Sequence, residues 1–150
     1  MSSSVAHEAA CIFCKIIKGE IPSFKLIETT HSYSFLDIQP TAEAHALVIP
    51  KYHAAKLHNV PDEYLTDTLT VAKRIVQAIG CDKDGPDGPG YNILQNNGRI
   101  AHQEVDHVHF HVIPKTAVDS GLIIEWPAHQ ADFDKLAQLH KKLTNSLSNL

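Results

Sequence analysis

His107-Val108-His109-Phe110-His111-Val112-Ile113-Pro114 alternates imidazole with apolar side chains. In an extended strand that alternation sends His107, His109 and His111 to one face and Val108, Phe110 and Val112 to the other. The apolar face would bury against a core, leaving the three imidazoles together on the opposite side. A lone histidine is ordinarily a surface residue or a satisfied core residue, because its burial is intermediate. Three in step on one face are not accounted for in that way. A strand is therefore expected over 105–113, and its histidine face is the candidate site.

Two chemistries suit such a face. Histidines two apart on a strand can share an ion with a ligand from a neighbouring strand. His107 and His111, however, stand about 13 Å apart along an extended chain, too far for both to reach one ion. Metal-assisted hydrolysis with His107 and His109 on a catalytic ion stays open. The other chemistry is nucleophilic: a neutral imidazole, with a pKa of about 6.5, attacks and departs well near neutral pH. Its neighbours could then donate to phosphate oxygens or assist a leaving group.

Around this strand the pattern suggests an α+β domain. A short helix is expected over 11–18, strands over 25–28 and 33–37, and a buried strand over 45–49 closed by Pro50. Residues 61–80 carry Leu65, Leu69, Ala72, Ile75, Val76 and Ile79 at helical spacing between Pro61 and Gly80, which predicts one long helix. A loop over 84–90 leads to a strand over 91–95, and 132–147 predicts a C-terminal helix. The expected fold is one antiparallel sheet of about five strands with the long helix and the C-terminal helix. Residues 1–10 read as a disordered tail and 11–150 as a single domain with a C-terminal extension from about 128.

The 150 residues are 43% hydrophobic and 20% charged, with 13 Lys+Arg against 17 Asp+Glu and a net charge of −4. Neither nucleic acid nor a membrane surface is an expected partner, since both favour a basic surface. No secretory signal or membrane-spanning run is evident, so an intracellular location is expected, cytoplasmic with the nucleus also open. Three cysteines suit a reducing compartment. The close pair Cys11-Ile12-Phe13-Cys14 admits a redox pair, a zinc half-site or two unrelated thiols. Cys81 has no partner in sequence and reads as inert.

The histidine strand matches the His-φ-His-φ-His-φ-φ signature of the histidine-triad (HIT) superfamily. The resemblance extends in order through Phe13-Cys14-Lys15-Ile16-Ile17, Glu20-Ile21-Pro22, Phe35-Leu36-Asp37-Ile38, residues 45–50, the 96–105 loop and Trp126-Pro127. Over roughly residues 11–127 the chain resembles the Hint branch, and the fungal Hint-type proteins in particular. That branch is adenosine 5′-monophosphoramidase-like: the resemblance implies cleavage of the P–N bond of adenosine 5′-phosphoramidates to AMP plus an amine, through a covalent nucleotidyl-histidine. It implies His109 as nucleophile, His111 as phosphate contact and leaving-group aid, and His45 as a further catalytic histidine. Asp37 would hold the ribose hydroxyls, with Phe13, Ile16, Ile21, Phe35 and Ile38 forming the adenine slot. Asn96, Gln103, Glu104 and Val105 would serve the phosphate side with His109 and His111. Here the chain departs from the usual pattern, with Glu104 in place of a small hydroxyl residue and His102 in place of a glycine. No cofactor is needed for the chemistry, but some members hold a structural zinc, which would assign Cys11, Cys14, His53 and His107 as ligands. The resemblance also implies a homodimer through the long helix and the 91–95 strand, with Trp126 near the partner's active site. An AMP-binding regulatory or scaffolding module with little turnover, and a metal-dependent phosphohydrolase, are the alternatives.

Overall fold

The computed structural model describes residues 6–150. Its strands are β1 (Lys25–Glu28), β2 (Ser32–Leu36), β3 (Ala46–Pro50), β4 (Gly90–Gln95) and β5 (Phe110–Lys115). They form one antiparallel sheet in the order β1-β2-β3-β5-β4. The α-helices among the described residues are α1 (Ile12–Ile17), α2 (Thr68–Ala78) and α3 (Phe133–Leu147). This is the α+β architecture expected from the sequence.

The pleat of β3 builds both layers. Ala46 and Val48 lie with Val112 of β5 under Val71, Ala72, Ile75 and Val76 of α2. Leu47 and Ile49 lie on the other side with Tyr33, Phe35 and the α1 residues Phe13 and Ile16. A strand buried on both faces reads as a continuous apolar run, and each large aliphatic side chain withdrawn from water contributes roughly 1.5–3 kcal/mol. Because Val112 faces α2, its neighbour His111 is turned to the α1 face, which carries the site.

Two sequence expectations are corrected. The strand expected over 105–113 begins only at Phe110, the partner of Val48 where pairing with β3 ends. His107 and His109 precede it, in a segment tied elsewhere: the Val108 N–H donates to the Ala54 carbonyl at 2.8 Å, and Val108 packs with Val60 and Tyr64.

The helix expected over 61–80 is divided into a 3-10 turn at Asp62–Leu65 and α2 from Thr68. Asp67 stands at the α2 N-cap, yet its carboxylate accepts the hydroxyl proton of buried Ser32 in β2 instead of capping the helix. A tertiary contact occupies the side chain at the break. At the other end Gly80 adopts φ +75, and the Gly80 and Cys81 N–H groups donate to Gln77 and Val76 carbonyls, closing α2 as expected.

Of the segment expected as a tail over 1–10, residues 6–10 are described. Residues 1–5 lie outside the described residues, while the Ala6 carbonyl accepts from the His53 N–H at 2.8 Å and that of Glu8 from Cys11 at 3.0 Å. The C-terminal helix agrees with expectation to within a residue. Asp132 caps α3 by accepting from the Asp134 and Lys135 N–H groups.

Candidate functional site

His45, His109 and His111 line one pocket of about 580 Å³ on the α1 face of the sheet. Hydrogen bonds assign each ring a tautomer. The Nδ1–H of His109 donates to the His107 carbonyl at 2.6 Å, which leaves Nε2 with its lone pair. The Thr41 N–H donates to His45 Nδ1 at 3.2 Å, so the His45 proton sits on Nε2 and is donated to His111 Nδ1 at 2.9 Å. His111 consequently carries its own proton on Nε2. The site thus offers one unprotonated nitrogen, on His109, beside one N–H donor, on His111, with the two rings 4.9 Å apart between centroids.

Burial keeps these rings neutral. It lowers the pKa of His109 and, with the neighbouring His109 and His45 rings, brings His111 down to about 4. Burial also lowers His45, against the opposing pull of Asp37, whose carboxylate lies 3.6 Å from His45 Nε2. A neutral His109 near pH 7 is the nucleophilic form. Phe13 holds its ring in place, packing edge-on against it at 5.3 Å and against Phe35 at 5.5 Å.

Phe13, Ile16, Ile21, Phe35, Asp37 and Ile38 line the same pocket. Ile38 is 80% exposed, so it forms the rim and not the floor. Asn96, Glu104 and Val105 also line it. Gln103 does not. It is buried, with its amide nitrogen donating to the Ala55 and Val105 carbonyls and its oxygen accepting from the Gly98 N–H. These bonds hold Gln103 beneath the loop, which it braces. Trp126 is 76% exposed and does not line this pocket within its own chain.

Cys11, Cys14, His53 and His107 converge behind Phe13. The His107 Nε2–H donates to the Pro50 carbonyl at 2.8 Å, leaving Nδ1 as a lone pair. That nitrogen lies 3.6 Å from each cysteine Sγ and 3.3 Å from His53 Nδ1, while Cys14 Sγ lies 3.4 Å from His53 Nδ1. Tetrahedral bonds of about 2.3 Å to sulfur and 2.0–2.1 Å to nitrogen imply N···N and N···S separations of roughly 3.3–3.6 Å. The four residues therefore fit zinc in donor type and spacing. By contrast, His107 and His109 share no metal cluster among the described residues, since His109 Nδ1 is spent on a carbonyl and His107 faces the cysteines. Asp37, His45 and His111 do lie close together, but their 2.9 Å N···N contact is a hydrogen bond, shorter than the roughly 3.3 Å of two nitrogens on one zinc.

The HIT domain model matches residues 18–118, which include the whole sheet and all of these histidines. The chain belongs to the HIT domain family. Among its relatives, the Saccharomyces cerevisiae protein named adenosine 5′-monophosphoramidase HNT1 is 65% identical over 147 residues, 98% of this chain and 89% of that protein. The Candida albicans protein of the same name is 63% identical over 147 residues, 97% of each chain. A crystal structure of a histidine triad nucleotide-binding protein from Candida albicans superposes with a TM-score of 0.91 at 64% identity, covering 93% of this chain and 99% of that one.

Within this HIT domain, sequence reading did not find the Thr41 N–H or the Pro50 carbonyl, which set the tautomers of His45 and His107. Both act through the backbone, so no side-chain pattern could have marked them.

Proposed function

We propose that this HIT domain protein is a hydrolase that cleaves adenosine 5′-phosphoramidates at the P–N bond, releasing AMP and an amine through a nucleotidyl intermediate on His109. The observation that carries this is the pairing of an unprotonated Nε2 on buried His109 with an adjacent Nε2–H on His111, in a pocket with an apolar slot at one end. The names of the fungal relatives support the substrate class.

In the first half, the His109 Nε2 lone pair forms a bond to phosphorus. The P–N bond breaks with its electron pair passing to the amine nitrogen, which takes up a proton from water. The His111 Nε2–H donates to the charge developing at the reacting centre. In the second half, water adds its oxygen to phosphorus and releases a proton that replaces the one taken up, and His109 departs neutral. Asp37 would hold the ribose hydroxyls, and Phe13, Ile16, Ile21, Phe35 and Ile38 the base. Asn96, Val105 and the Glu104 backbone would serve the phosphate side, with Gln103 bracing their loop. Mass spectrometry of protein mixed with an adenosine phosphoramidate and quenched early tests this: AMP should be found on His109, and an unmodified His109 during steady turnover would contradict it.

Two structural features belong to the same reading. A structural zinc on Cys11, Cys14, His53 and His107 would fix the strand entrance and, through the 2.6 Å bond from His109 to the His107 carbonyl, the nucleophile. Burial pushes the Cys14 thiol up to about 11, and a cation held there would oppose that by favouring the thiolate. A homodimer through edge strand β4 and α2 is supported by exposed Tyr91, Ile93 and Leu69. Trp126 would then reach the partner's pocket. The expected location is the cytoplasm, with the nucleus also open.

A further inference from the structure

Glu104 has a use that its place in the nucleotide loop does not exhaust. Its carbonyl accepts from Arg99 Nη1 at 2.6 Å, so the backbone is held. Its carboxylate has no ion-pair or hydrogen-bond partner among the described residues, although Glu104 lines the pocket and is exposed at its mouth. The loop's own cation is committed elsewhere: Arg99 Nη1 also meets the Gln103 carbonyl at 3.2 Å, and Nη2 lies 3.6 Å from Asp106. No lysine or arginine lines the pocket among the described residues, so its permanent charges are the carboxylates of Asp37 and Glu104.

The strand order starts the segments that carry those two carboxylates from opposite sides of β5, after β2 and after β4. Leu36, which leads into Asp37, is aligned through Ala46 with Val112 of β5. Gln95, which leads into Asn96 and the Glu104 loop, is aligned with Phe110, two residues earlier on β5 and next to His109. With the ribose at Asp37 and phosphorus at His109, the departing amine points toward the Glu104 loop. Gln103, fully bonded underneath, keeps that loop from withdrawing.

We propose that Glu104 forms a leaving-group subsite that selects phosphoramidates whose departing amine carries a further positive charge. This rests on the phosphoramidase reading above. A carboxylate at the mouth of a pocket that no lysine or arginine lines repels an anionic leaving group and gives a neutral one no charge contact. It attracts one that brings its own ammonium a few bonds beyond the reacting nitrogen.

The experiment uses the full chain and three adenosine 5′-phosphoramidates of matched length, made from putrescine, butylamine and γ-aminobutyrate, with the unsubstituted phosphoramidate as reference. At low salt, kcat/KM should fall in that order, each step about 3- to 10-fold, as expected for a solvent-exposed charge contact. In about 0.5 M salt the spread should contract. Glu104→Gln should bring the three within about twofold of one another, whatever its absolute rate. Equal rates in the wild type, a salt-independent ranking, or a ranking that survives Glu104→Gln would each overturn the subsite. If Glu104→Gln does not fold, the wild-type series and its salt dependence decide alone. Failure to turn over even the unsubstituted phosphoramidate would instead overturn the underlying activity.

Discussion

Replacing His109 separates the nucleophile from its surroundings. His109→Ala removes Nε2 and closes the covalent route, so turnover of an adenosine phosphoramidate should fall by about 10³ or more, equivalent to at least ~4 kcal/mol of barrier. The same change has a structural cost. It deletes a ring only 5% exposed, its 2.6 Å bond to the His107 carbonyl and its edge contact with Phe13, together roughly 2–4 kcal/mol of stability. Because the two effects are of similar size, rates must be read on protein whose folding and AMP binding are verified. His109→Asn serves as the companion, since an amide N–H can still donate to the His107 carbonyl while the side chain holds no nucleophilic nitrogen for phosphorus. Stopped assays of amine release should show both variants equally inactive, and AMP should still bind. If either variant kept turnover within about tenfold of wild type, with contaminating enzymes excluded, His109 would not be the nucleophile.

Asp37→Ala should chiefly raise KM and change kcat little, because the ribose lies away from the breaking bond; steady-state kinetics showing the reverse pattern would place Asp37 in the chemical step. Elemental analysis should find about one zinc per chain, lost together with thermal stability when Cys11 and Cys14 become Ala; wild-type protein equally stable without metal would remove the structural role. Sedimentation at micromolar concentration should show a dimer that Ile93→Lys shifts toward monomer by charging edge strand β4; a fully active wild-type monomer would contradict it. Burial depresses His111 to about 4, below the unfolded value of about 6.5, so the unfolded chain takes up the proton first. Its contribution to stability is present above pH 6.5 and is lost as pH falls toward 4. Denaturant midpoints should therefore drop less steeply over that window in His111→Asn than in wild type, and equal slopes would show that the ring is not held neutral.

The sequence alone was enough for the class of fold, because burial dictates side-chain periodicity and periodicity survives in one dimension. The apolar run of β3, the helical spacing along α2 and the alternation through His107, His109 and His111 were all legible. The four candidate zinc ligands and the residues of the pocket came from the sequence only through its resemblance to a family. What sequence could not state was any feature decided by a contact between distant segments. The break at Asp67 depends on Ser32 in another strand, and the late start of β5 depends on where β3 ends and on the Ala54 carbonyl. The place of Gln103 beneath its loop depends on Ala55 and Gly98. Above all, the protonation pattern that distinguishes His109 from His111 is written by the His107 carbonyl and the Thr41 N–H. Every residue carries such backbone groups, so only the tertiary structure decides which of them a given imidazole meets.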